Sequence, residues 1–155
     1  MNEVDGTQTT IAANRPGKSH RRCLPATRNS ITHKFSINSH EGYLTVGVHD
    51  DGSPGEIFIK MSKEGSTLSG LIQAYCRAFS LAIQYGLTLE EAILRFKNMR
   101  FEPMGMTTNP DIPYAKSIID YTARYLETYF LRREETSADQ PKFAEKQTTG
   151  AIGLE

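Results

Sequence analysis

The hydrophobic pattern of this chain changes period once, and that change constrains the fold more than any other feature. Before residue 62 the apolar side chains alternate. Residues Ile31 to Ile37 and Tyr43 to His49 are rich in β-branched and aromatic types, which predicts two strands. His40, Glu41 and Gly42 read as the hairpin connection between them. The turn cluster Asp50 to Gly55 hands over to a third strand, Glu56 to Met61. From Ser66 the period lengthens: Leu68, Ile72, Tyr75, Phe79 and Ile83 recur at spacings of four and three, predicting an amphipathic helix that ends at Tyr85 and Gly86. Thr88 opens a second, shorter helix, with Glu91 completing a capping box and Leu89, Ile93 and Phe96 on its buried face. Pro103, Gly105 and Pro110 exclude regular structure from about Glu102 to Ile112. Pro113 suits the first turn of a third helix, in which Tyr114, Ile118, Tyr121, Tyr125 and Tyr129 form a stripe flanked by Ile119, Leu126 and Phe130. Strands followed by helices predict an α+β domain: a small antiparallel sheet of three strands, then three helices packed on one face.

The chain's 155 residues suffice for one such domain with tails. Residues 1–20 are rich in Thr, Asn and Gly with few large apolar side chains, and residues 134–155 are polar and mixed in charge. Both are expected to be disordered, leaving a folded domain over 21–133. A net charge of +0 provides no global attraction to nucleic acid or anionic membrane. Cys23 and Cys76 stand in no C-x-x-C pair, so neither a zinc site nor a dithiol centre is predicted. The apolar stretches fall short of a membrane span and the N-terminus lacks a secretory pattern, so a cytoplasmic protein with reduced thiols is expected.

Four places could hold chemistry. At Lys63, Gly65 and Ser66 a glycine, a hydroxyl and the free amides of a helix start converge, which suits a phosphate or carboxylate; the plainer reading is a turn with Ser66 as N-cap. The loop Arg100 to Met106 combines Arg100, Phe101, Glu102, Met104 and Met106. It reads equally as an adaptable docking surface or as a loop pinned by an Arg100–Glu102 pair with Phe101 in the core. A basic cluster of Lys18, His20, Arg21, Arg22 and Arg28 can grip phosphate or an acidic partner, or form a solvated junction. His33, His40 and His49 lie in or beside the meander, but no further ligand falls at a recognised spacing and no metal is predicted. Pro16 to Ser19 has the end of a phosphate-binding loop without its leading glycine, and the tyrosine stripe reads as core rather than as a radical relay.

Five uncommon segments occur in fixed order: RRCLP, ITHKFSI, GSPGEIFIKMSKEGST, MRFEPMGMTTNP and AKSIIDYTARYL. Together they resemble the C-terminal, TSCPD-type domain of adenosylcobalamin-dependent class II ribonucleotide reductases. The resemblance implies a place in deoxyribonucleotide synthesis beside ribonucleoside-diphosphate reductase activity. In that system a separate barrel holds nucleotide and cobalamin, and a cysteine pair supplies reducing equivalents. A chain of this size has no room for that site, so it implies an accessory part acting with a separate catalytic subunit, with no cofactor bound and no independent catalysis. Two other readings stay open: a free-standing nucleotide or nucleic-acid binding module, signalled by a basic stripe at Arg21, Arg22, Arg28 and Lys63, and a regulatory docking partner, signalled by an exposed apolar patch at Met104 and Met106.

Overall fold

The computed structural model describes residues 20–132; the expected tail, and all of the expected arm except His20, lie outside the described residues. Three strands, β1 (Ser30–Ile37), β2 (His40–Val48) and β3 (Pro54–Met61), form one antiparallel sheet in the order β1-β2-β3. This is the expected meander, but its first turn lies earlier than the sequence suggests. Asn38 and Ser39 make the turn with φ of 45° and 68°, and His40 already pairs with Ile37. A two-residue hairpin turn needs left-handed backbone at both positions, which asparagine tolerates well. Gly42 is instead a mid-strand residue, kept small by its neighbours: a Cβ there would stand 2.8 Å from the Phe35 ring and 2.6 Å from the Met61 sulfur.

Alternation sends Phe35, Ile37, Leu44, Val46, Ile57 and Ile59 to the buried face of the sheet. The helices cover that face. Helix α1 (Ser66–Gln84) packs on β3, and its Ile72, Cys76 and Phe79 enter the core, with Leu68, Tyr75 and Ile83 packed beside them. Helix α2 (Leu89–Phe96) begins where the Thr88 hydroxyl accepts the Glu91 N–H at 3.2 Å, the cap expected from sequence. The Glu91 carboxylate turns forward to Arg95 at 3.1 Å.

The third helix starts later than the proline at 113 suggests. Helix α3 (Ile118–Leu126) is capped by Ser117, whose hydroxyl accepts the Asp120 N–H at 2.9 Å, and it runs into a wider π-helical turn over Glu127–Leu131. Tyr114 is therefore not on this helix. Tyr114–Ala115 (β5) pairs antiparallel with Gly105–Met106 (β4), inside the segment expected to be irregular. The prolines at 103, 110 and 113 flank this two-residue ribbon instead of interrupting it. Gly105, at φ 144°, takes a conformation that residues with a Cβ avoid. The ribbon is tied to the sheet through Asn38, whose N–H donates to Met106 O at 2.9 Å.

Helix α1 also closes one edge of the sheet. The open side of an edge strand presents unpaired N–H and C=O groups, and here three α1 side chains spaced four apart meet three β3 residues spaced two apart. Gln84 Nε2 donates to Gly55 O at 2.8 Å, Ser80 Oγ accepts Ile57 N–H at 2.9 Å, and the Cys76 sulfur takes a backbone hydrogen bond from Ile59. Four helical residues advance about 6 Å and two strand residues about 6.7 Å, so the repeats stay in step over this length.

Candidate functional site

The seam between α1 and β3 opens on its solvent side into a groove of about 510 Å³. One wall is α1, which contains no acidic residue and whose one charged residue is Arg77. The other wall carries Phe58, which is 52% exposed, and Arg21 enters from the segment before the sheet. Sequence reasoning missed this site. The available signals were Ser80 and Gln84, two polar residues at four-residue spacing from Cys76 on the face turned to the core, and the lone charge of α1.

Of the sequence-predicted basic cluster, Lys18 lies outside the described residues. Arg22 pairs with Asp51 at 2.7 Å, and Arg28 pairs with Glu56 while also donating to Pro25 O and Ala26 O. Arg21 donates from Nε to the neutral Gln84 Oε1 at 2.7 Å, so its charge is not cancelled. The cluster is thus divided among separate anchors and makes no shared stripe with Lys63, which is exposed beyond the far end of β3.

Ser66 is not the N-cap of α1. Gly65 holds that position with extended backbone, its carbonyl accepting Ser69 N–H at 3.1 Å, and Ser66 is already helical with no side-chain cap bond. Extended backbone at Gly65 starts the helix one residue earlier than a cap at Ser66 requires. Lys63, Gly65 and Ser66 are all exposed.

The Arg100–Glu102 pair, which one of the two sequence readings of the loop invokes, does not form. Glu102 accepts its own loop's Met104 N–H at 3.2 Å instead of meeting Arg100, which is exposed. The tight turn into a buried Pro103 directs the carboxylate to the nearer backbone donor. Phe101 is half-buried, and its N–H donates to Lys116 O at 3.1 Å. Met104 is half-buried. Met106 is 67% exposed and faces its strand partner Tyr114, itself 46% exposed.

The tyrosine stripe divides. Tyr121 and Tyr125 are buried, Tyr129 donates to Asp111 Oδ2 at 2.9 Å, and Tyr114 stands on the ribbon. His33 stacks on Tyr125 with ring centroids 4.5 Å apart and lies 2.8 Å from the Tyr121 hydroxyl. Asn109 Nδ2 donates to that same hydroxyl at 3.1 Å. Burial pushes the Tyr121 phenol up to about 12, against the Asn109 bond. The three sequence-noted histidines do not converge. His33 pairs with Leu44 in the sheet, five residues before His49 and so about 16 Å away along the strand; His40 Nδ1 lies 3.1 Å from Asn38 O.

Burial holds His33 below its ordinary value of 6.5. A histidine with a depressed folded-state pKa contributes stability that is fully present above the unfolded value and lost as pH falls below it. The melting temperature is therefore expected to decline from about pH 6.5 downward, and His33→Gln to flatten that decline. Asp51 acts in a separate, lower window: bonds from Ser53 and then Arg22 hold its carboxyl well below the usual carboxylate range, so its contribution fades only under more acidic conditions. A melting temperature independent of pH between 7.5 and 5.5 would refute the assignment to His33.

The described residues thus form a small α+β domain with one sheet face covered by helices and one sheet edge bonded to α1. The family model for the TSCPD domain matches residues 16–130, and the chain belongs to that family. It is 52% identical over 120 residues to the vitamin B12-dependent ribonucleotide reductase of Rhodopirellula baltica, covering 77% of this chain and 12% of that protein. It is 48% identical over 118 residues to the enzyme of the same name in Streptomyces coelicolor, covering 76% and 12%. With the one in Bradyrhizobium diazoefficiens it shares 40% over 122 residues, covering 78% and 10%. The chain thus spans about an eighth or less of the length of these relatives. No solved structure matches this chain significantly. Among the described residues, no helix is long and apolar enough to cross a membrane.

Proposed function

We propose that this protein is an accessory part of a B12-dependent ribonucleotide reductase, acting in the cytoplasm beside a separately encoded catalytic polypeptide on which it docks through the β4–β5 ribbon. The observation that carries this reading is the Met106–Tyr114 pair, two large apolar side chains held outward on a backbone anchored to the sheet through Asn38. Methionine adapts to an irregular partner, tyrosine offers rigid contact area, and an anchored backbone lowers the ordering cost of association.

The chemistry named by the relatives belongs elsewhere in that assembly. A corrinoid exceeds the drug-sized ligands that fill pockets of roughly 300–1,000 Å³, and the α1–β3 groove, at about 510 Å³ and open, does not fit it. Burial pushes the Cys76 thiol up to about 11, so it is a protonated core residue, and Cys23 is exposed.

Replacing Met106 and Tyr114 together by Ser is expected to leave the melting temperature within a few degrees of the parent. Affinity for a reductase catalytic polypeptide lacking this domain should fall at least about tenfold. Binding measured by calorimetry at unchanged affinity, with the variant folded, would retire the ribbon as the docking surface.

A further inference from the structure

Independently of the docking reading, the α1–β3 groove carries charges that the fold does not use. Arg77 has no hydrogen-bond or ion-pair partner among the described residues, although it lines the groove on a helix without acids. Arg21 spends its Nε on a neutral amide and keeps its terminal nitrogens. The acidic residue of the lining, Glu56, is paired with Arg28 and does not oppose either. Two guanidiniums therefore share one concave surface without a counter-charge.

The rest of the lining supplies the other half of a ligand's recognition. Phe58 presents an aromatic ring and Leu81 an aliphatic side chain, while Gln73 adds an amide. An added peptide strand is excluded at this edge, because Gly55 O and the N–H groups of Ile57 and Ile59 are already bonded to α1. What remains is a site for a compact molecule with a strongly anionic end and a flat apolar end.

We propose that this groove binds an organic phosphate bearing a flat ring, with Arg77 and Arg21 holding the phosphate oxygens and Phe58 stacking the ring. Guanidinium suits phosphate because its planar fork makes two parallel charge-assisted bonds, and an aromatic face stacks on flat rings with little dependence on their substituents. The volume suits a ligand of this size.

Calorimetric titration of the full chain with adenosine 5′-monophosphate, and with adenosine and inorganic phosphate as its two halves, tests this. The intact probe is expected to bind with each half at least about tenfold weaker. Arg77→Gln should weaken the intact probe about tenfold and leave adenosine unchanged, and Phe58→Ser should weaken both. Both side chains are exposed, so an unchanged melting temperature is expected and serves as the folding check. The proposal is overturned by no saturable binding of the intact probe, by equal affinity for inorganic phosphate alone, by an Arg77→Gln variant that binds as well as the parent, or by a hexaglutamate peptide binding as tightly.

Discussion

Replacing Asp120 by Ala is expected to cost the domain about 3–5 kcal/mol, because a fully buried carboxylate here serves several donors at once. Its Oδ1 accepts Asn98 N–H at 2.6 Å and its Oδ2 accepts Lys116 N–H at 2.9 Å, while Arg124 Nε lies 3.0 Å from both oxygens. Asp120 has no solvent exposure, so water cannot replace those bonds once the carboxylate is gone. The loss reaches beyond the helix. Asn98, at φ 70°, is the residue on which the chain leaves α2 toward the ribbon, and its own Oδ1 accepts from Lys116 Nζ at 2.9 Å and Arg124 Nη2 at 3.0 Å. Asp120→Asn keeps the shape but turns one acceptor into a donor that faces an existing donor, so it should also destabilise strongly. Urea unfolding of both variants against the parent gives the comparison; a loss under 1 kcal/mol for Asp120→Ala would show that the buried carboxylate is not the tie between α2 and α3.

The parts of the fold legible in sequence are those governed by local period. The meander, the inward face of α1 and the Thr88 cap each depend on residues a few positions apart, and apart from the earlier turn at Asn38 and Ser39 each is where the alternation or the helical spacing placed it. The ribbon was not legible, since a strand of two residues has no period and its prolines argue against any strand until the pairing partner is known. Asp120 resembles any polar residue on a helix; its importance comes from Asn98 and Lys116, which only the folded chain brings to it. Similarly, Arg100 and Glu102 are neighbours in sequence but not partners in space, while Arg77, ordinary in sequence, is notable because it lines a groove with no partner among the described residues. The Lys63 to Ser66 turn was recognised as a helix start, yet which residue caps it depended on the backbone angle at Gly65.

Phe79→Ala is expected to cost about 3–5 kcal/mol, the range for emptying the volume of a fully packed ring. Phe79 is 3% exposed and sits where α1 meets α2, with ring centroids 5.8 Å from both Tyr75 and Phe96; Tyr75 and Phe96 in turn meet edge to face at 5.2 Å. Removing the central ring therefore leaves a cavity and takes a contact from each of the other two, so α2 loses much of its hold on α1. Leu71, 64% exposed on the flank of the same helix, supplies the control: Leu71→Ala should change stability by no more than about 0.5 kcal/mol. The ratio between the two variants in one denaturation series tests the helix face directly, because a rotated α1 would reverse it. If Phe79→Ala costs under 1 kcal/mol, or Leu71→Ala costs more, α1 does not present the stripe of Ile72, Cys76 and Phe79 to the sheet, and the edge bonds through Ser80 and Gln84 fall with it.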